Sequence, residues 1–316
     1  DVSIKGEPFT IAWDQITHHI NTVPEMPKLL TIWLTPKNYA GVYTIDWDLE
    51  VKWVSKEQSP DKTFSHKFHN RKISSEPDGT DLPIPENDNT IIGGDEITLT
   101  INEFFYYDNL NQLVKPITKK ITGMKILGSN PDKEEIKGYV ANHYFPDKDG
   151  LTKEDQILQM QIIILKESTW NQFYSIGNKK DYPNLQLHPY DWGLTQMSDP
   201  QPPFEWIWNW KTNINAGVHH LYSVGYIEAD MVYEQQKRKE GNEDIRYFNH
   251  DELLKFTSQR YKGWWYYIEW IPGDPKYGKK GYWRENSVKD WKKYGNDFWN
   301  KYEKIKAGNP DPSWGW

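Results

Sequence analysis

Cysteine is absent from the 316-residue chain. That absence excludes disulfide frameworks, thiolate metal sites and cysteine nucleophiles, but leaves the redox compartment undecided, because a periplasmic or secreted protein does not require cysteine. Long apolar runs are missing too. None approaches the roughly 20 residues that cross a bilayer, and the mean hydropathy is −0.87, so a soluble chain without a membrane span is expected. No charged segment followed by an apolar one stands at the start, so no signal peptide is expected within this sequence, and one removed ahead of residue 1 is compatible with it. Positive charge is also in deficit: 38 Lys and Arg stand against 45 Asp and Glu, a net charge of −7. With no long Lys/Arg run to neutralise phosphates, nucleic acid is not an expected partner. A wall polymer or a neutral sugar stays open.

Aromatic surface is what the chain has in excess, with 17 Trp and 20 Tyr. Such rings bury large areas in cores and also offer flat faces to sugar rings, core packing being the fate of most. A chain of this length is expected to form about two domains. In "YTIDWDLEVKW", residues 43–53, Tyr43, Ile45, Trp47, Leu49, Val51 and Trp53 alternate with polar residues, which predicts a half-buried strand. "ITLTINEFFYY", residues 97–107, begins with the same period, and the turn residues Asp108 and Asn109 precede another extended run, which predicts a hairpin. Clusters of Ser, Pro, Asp, Asn and Gly over residues 55–95 suit long loops between strands.

Residues 1–126 are accordingly predicted to form an antiparallel β-sandwich serving as a binding or spacer module. An immunoglobulin-like version stays open, since no Cys and Trp signature fixes it. The pairs His18/His19 and His66/His69 are not expected to bind metal: the first would point to opposite faces of a strand, and the second sits in a polar loop without a carboxylate pattern.

Beyond residue 127 the period becomes helical. Pro131 followed by Asp132, Glu134 and Glu135 resembles a helix first turn, and Asp147, Asp149 and Gly150 read as a turn rather than a calcium loop. Thr152 and Asp155 form a capping pattern before "QILQMQIIILKESTWNQF", which predicts a mostly buried helix running to about Phe173. Glu167 follows an apolar run directly, with Ile163 and Ile164 one turn before it and Trp170 and Asn171 one turn after. Burial there would disfavour the ionised carboxyl, as a proton donor to a glycosidic oxygen requires. From the helix alone the plainer alternative has the better support: a Glu near a helix end that reaches water or pairs with a lysine such as Lys166.

Further motifs stand downstream: "DWGLTQMSDP" at 191–200, "WNWKTNINAGVHHLY" at 208–222 and "SQRYKGWWYY" at 258–267. In order, Glu-Ser, Gly-Leu-x-Gln, Asn-Ile-x-x-Gly and Arg-Tyr-x-Gly resemble the motif series of soluble lytic transglycosylases and goose-type lysozymes over roughly residues 127–300. The resemblance implies an all-α, lysozyme-like domain over 127–316, with Glu167 as the catalytic acid and base and Ser168 following it. It further implies that Gly193, Leu194 and Gln196 line the cleft, with Gln196 a contact to an N-acetyl sugar. Asn213 and Gly217 would pack behind the site, and Tyr261 would turn its hydroxyl to the acid. Two positions depart from the pattern. Met197 stands where the family often has Ile, and Lys262 stands where Asn commonly follows the tyrosine; an ammonium beside Glu167 would oppose its role as proton donor unless it pointed to solvent.

The activity implied is cleavage of the β-1,4 link between N-acetylmuramic acid and N-acetylglucosamine in peptidoglycan. Neither cofactor nor metal is implied. A transglycosylase would manage with Glu167 alone, whereas an inverting hydrolase needs a second carboxylate about 6.5–9.5 Å away, for which Asp181, Asp191 and Asp199 are the nearby candidates. Trp192, Trp206, Trp208, Trp210, Trp264 and Trp265 are read as core or sugar platforms. "FEWIWNW" suggests an irregular or extended approach to a helix starting near Asn213, and residues 228–254 suggest a solvated helix pair. Rival readings are a non-catalytic wall-binding or assembly protein and a muramidase or chitinase-like glycosidase. Function places the chain in the periplasm or outside the cell, with glycan strands as partners; an antibacterial effector would add an immunity protein.

Overall fold

The computed structural model describes residues 2–3, 9–13, 17–20, 22, 31–34, 43–55, 62–74, 80–81, 91–106, 119–177, 179–185, 191–198, 203–262, 267–286 and 292–316. The chain divides into two compact units. The first comprises Asp1–Pro131, Asn171–Gly193 and Ser198–Trp210, and the second Asp132–Trp170, Leu194–Met197 and Lys211–Trp316. Strands dominate the N-terminal part and helices the rest. Among the described residues no helix is long and apolar enough to cross a membrane.

The first unit contains β1 (Val2–Ser3), β2 (Phe9–Trp13), β3 (Thr17–His19), β4 (Thr31–Leu34), β5 (Tyr43–Ser55), β6 (Lys62–Ser74), β7 (Thr80–Asp81), β8 (Gly94–Tyr106) and β9 (Lys119–Leu127). One sheet, in the order β1-β2-β4-β7, is antiparallel. The other runs β3-β9-β8-β5-β6, antiparallel except where β3 lies parallel to β9. The alternation of β5 is realised: Ile45, Trp47, Leu49, Val51 and Trp53 are buried, and the intervening polar side chains are only half so. The expected hairpin partners β8 and β9 do pair, their connection lying outside the described residues.

Two expectations for this region are corrected. Residues 55–95 are not loop throughout, because β6 occupies 62–74; Phe64 and Phe68 face the core at every second or fourth position, a period masked by the polar residues around them. His69 therefore lies on a strand directly across from Asp48, with Nδ1 2.8 Å from Oδ1, rather than in a loop without carboxylates.

The unit also extends past residue 126. Phe173, Leu185, Trp192, Ile207 and Trp208 join the strand residues in one apolar cluster. Gly93 admits one of these rings, since a Cβ there would lie 2.2 Å from the Trp208 ring. Fully burying side chains of this size is worth roughly 1.5–3 kcal/mol each, which explains why chain segments distant in sequence belong to the sheet's core.

Helices build the second unit. The α1 helix (Lys133–Ala141) starts at Asp132, whose carboxylate accepts from Glu134 N while Glu135 accepts from Asp132 N. The capping pair Thr152 and Asp155 opens α2 (Lys153–Ser168). This helix stops at Ser168, short of Phe173, because Thr169 and Trp170 take left-handed backbone at φ 51 and 66. "FEWIWNW" is helical rather than extended: α3 (Phe204–Trp208), which belongs to the first unit, breaks at Asn209 (φ −118, ψ 106) and α4 (Trp210–His220) begins at once. Through a π-helical stretch, Leu221–Tyr226, it continues into α5 (Ile227–Lys237), after which come α6 (His250–Lys262) and α7 (Lys292–Lys306). The α6 helix packs on the π-helical stretch and on α7, and α7 also packs on α2.

Buried polar groups on α2 are satisfied by these neighbours. Gln159, fully buried, donates to Thr257 Oγ1 and Ser258 Oγ, each at 2.8 Å, and accepts from the Tyr226 hydroxyl. Asp155 ties the start of α2 to α7, accepting from Tyr302 Oη at 2.5 Å and Lys306 Nζ at 2.7 Å, with His250 Nε2 3.1 Å away. Burial works against the charge of Asp155, but the donors from Lys306, Tyr302 and Thr152 outweigh it and hold the carboxyl well below its usual range.

Candidate active site

Glu167 sits on the last turn of α2, among the buried residues Ile163, Ile164 and Ser168. Its side chain is 4% exposed, yet it reaches neither water nor Lys166, which bonds Asp297 instead. Both oxygens are engaged by donors: Tyr294 Oη lies 2.6 Å from Oε1 and Lys262 Nζ lies 2.8 Å from Oε2. The requirement that Lys262 point to solvent is thus not met. As the last residue of α6, it turns its ammonium to the one carboxylate the motif series marks.

Tyr294, on α7, escaped the sequence reading. It lies 127 residues from Glu167 and carries no local signal of its role. Burial, then the charge and hydrogen bond of Glu167, push its hydroxyl well above the ordinary tyrosine value, so it stays a donor. Lys166 covers the ring face, with Nζ 4.2 Å from the centroid, and helps fix it.

The Leu194–Met197 loop is clamped in the same unit by the other motif residues. Asn213, fully buried at the start of its Asn-x-x-x-Gly segment, accepts from Thr195 N at 2.9 Å through Oδ1, and its oxygens also receive the Thr195 hydroxyl. One turn on, Gly217 leaves the space: a Cβ there would lie 2.6 Å from Thr195 Cβ. Tyr261 donates to Thr195 O at 2.7 Å, so its hydroxyl holds the loop and the one bonded to Glu167 belongs to Tyr294. With the loop held at three points, Gln196 keeps a left-handed φ of 48 and is 6% exposed, while Leu194 is fully buried. Ser168 returns its hydroxyl to Ile164 O at 3.0 Å.

The remaining candidates lie in the first unit or outside the described residues. Gly193, at φ 72, donates its N–H to Asn184 O at 2.9 Å. Asp191 is buried and accepts from the Ser198 hydroxyl. Asp181 Oδ2 lies 3.4 Å from His19 Nε2, and its backbone bonds Tyr174 and Gly128. Asp199, Trp264 and Trp265 lie outside the described residues. Among the tryptophans, Trp192 and Trp208 are core, Trp210 is buried with Nε1 donating to Thr22 O at 2.6 Å, and Trp206 is half-buried.

The chain matches no protein-family model and no curated protein sequence. Likeness to a known family therefore rests on the four motifs, and the geometry adds what those motifs do here. Chemically, a buried carboxylate held by one hydroxyl and one ammonium is fixed in orientation by two hydrogen bonds, and it can exchange a proton with a bound oxygen only when one of those two contacts opens.

Proposed function

We propose that the chain is a peptidoglycan lytic transglycosylase cutting the β-1,4 link between N-acetylmuramic acid and N-acetylglucosamine. The observation that carries this reading is Glu167, 4% exposed and held by Tyr294 and Lys262 in the same unit as the loop clamped by Asn213, Gly217 and Tyr261. Glu167 protonates the leaving oxygen as positive charge grows at the muramic carbon, then takes the proton of the same sugar's 6-hydroxyl as that oxygen closes a 1,6-anhydro ring. One carboxyl serves both steps, so the reaction requires no second acid. On this reading Gln196 contacts an N-acetyl group, the helical unit is lysozyme-like, and the first unit is a β-sandwich that binds or spaces glycan strands. The periplasm or the exterior of the cell is then the place of action.

Digestion of purified sacculi by wild type and Glu167→Gln, with fragments read by mass spectrometry, tests this. Anhydromuramic ends that vanish in the variant support it, and reducing ends would instead indicate a hydrolase and direct attention to Asp181, Asp191 and Asp199. A second reading is favoured by one observation: the Lys262 ammonium occupies the acid. On it the chain binds wall glycan without turnover, and sacculi would co-sediment with the protein while releasing nothing.

A further inference from the structure

The cleavage just proposed has no use for Lys262, yet the site is closed by it. Neither oxygen of Glu167 is free to deliver a proton while Tyr294 Oη holds Oε1 and Lys262 Nζ holds Oε2. The two partners of the ion pair are unequal. Glu167 is 4% exposed on a helix whose neighbouring residues are buried, whereas the Lys262 side chain is 35% exposed at the end of α6. A flexible four-carbon stem reaching solvent swings more readily than a carboxylate locked in a packed helix, so Lys262 is the member that moves.

Removing an ammonium from a buried carboxylate is costly because that charge is left unpaired; a new counter-charge for the cation offsets the lost pair, and a proton taken up by the carboxylate removes the bare charge. A neutral sugar offers no counter-charge; a sugar bearing a carboxylate does. We infer that Lys262 is a specificity-determining latch, drawn off Glu167 by a carboxylate that the glycan carries beside the scissile bond, so that carboxylated glycan is cleaved and its neutral counterpart refused. The lysine exchanges one ion pair for another, and Glu167, relieved of the ammonium, takes up a proton from solvent, which it then delivers to the glycosidic oxygen; no other bond forms or breaks beyond those of the cleavage itself. This rests on the reading of Glu167 as the proton donor.

The test compares sacculus glycan stripped of its stem peptides, which leaves the muramic lactyl carboxylates free, with the same polymer whose carboxylates have been converted to amides, using wild type, Lys262→Met and Lys262→Asn. Wild type is expected to show a kcat/KM on the carboxylated polymer about ten- to a hundred-fold above that on the amidated one, the range of a single charge-assisted contact. In Lys262→Met the ratio collapses towards unity, chiefly because the amidated polymer is now cut. The asparagine variant keeps a polar partner for Glu167 and gives the same answer should the methionine variant not fold. Equal rates on both polymers in wild type, or an unchanged ratio in the folded variants, would overturn the latch while leaving Glu167 as the acid. If folded wild type and lysine variants release nothing from either polymer, the catalytic reading itself fails and the latch falls with it.

Discussion

The Tyr294 hydroxyl donates to Glu167 Oε1 at 2.6 Å across 127 residues of sequence. This contact, between the last turn of α2 and the first turn of α7, fixes one oxygen of the proposed acid and leaves the other to Lys262. Because burial and the neighbouring carboxylate hold the tyrosine in its neutral form, the donor persists through the physiological range. Replacing it with Tyr294→Phe removes one oriented hydrogen bond and little volume. A fall of about ten- to a hundred-fold in kcat on sacculi, with KM nearly unchanged, is expected for a contact that matters more in the transition state than in binding. Steady-state kinetics separate the two; a change confined to KM would argue that Tyr294 touches the glycan instead.

Packing behind the loop makes its own demand. Gly217→Ala places a methyl 2.6 Å from Thr195 Cβ, so the helix or the loop must shift. Overpacking of this kind costs about 1–3 kcal/mol, and Asn213→Ala should cost about 1–3 kcal/mol by stranding the buried Thr195 N–H. Urea unfolding curves check both, with the helical content of the native state as control.

Asp155 predicts a pH dependence of stability. Its folded value lies below the ordinary carboxylate value of 3.8, so its contribution is complete above that pH and is lost as the pH falls through the folded value. Wild type should exceed Asp155→Asn by about 2 kcal/mol at pH 7, and the gap should narrow progressively in acid below the unfolded value. A gap that stays constant across an acid series would show that the charge of Asp155 is not what its three donors stabilise.

In the first unit, Trp208→Ala should cost about 3–5 kcal/mol by emptying the space beneath Gly93. Trp208→Phe should be much milder, because the indole Nε1 has no hydrogen-bond partner among the described residues to lose. Chemical denaturation of the two variants side by side tests the difference; equal losses would mean the indole makes a polar contact after all.

Local pattern carried much of the architecture. The alternation of residues 43–53, the Thr152 and Asp155 cap, and the Pro131 to Glu135 start are realised because strand pleat and helix capping depend on residues a few positions apart. The β6 strand was hidden because its buried residues are diluted by charged ones. The end of α2 was hidden because left-handed backbone at Thr169 and Trp170 has no glycine to announce it.

The sequence by itself determined which carboxylate to ask about: an acid behind an apolar run, followed in order by the Gly-Leu-x-Gln, Asn-x-x-x-Gly and Arg-Tyr-x-Gly segments. Only the tertiary structure decided what that carboxylate meets. Tyr261 went to the Thr195 carbonyl, Tyr294 arrived from α7, and Lys262 turned inward. Spacing along the chain fixes which residues share a helix face, but a buried charge selects its partners from whatever the packing of distant helices brings within hydrogen-bond reach, and that choice is written in no single segment.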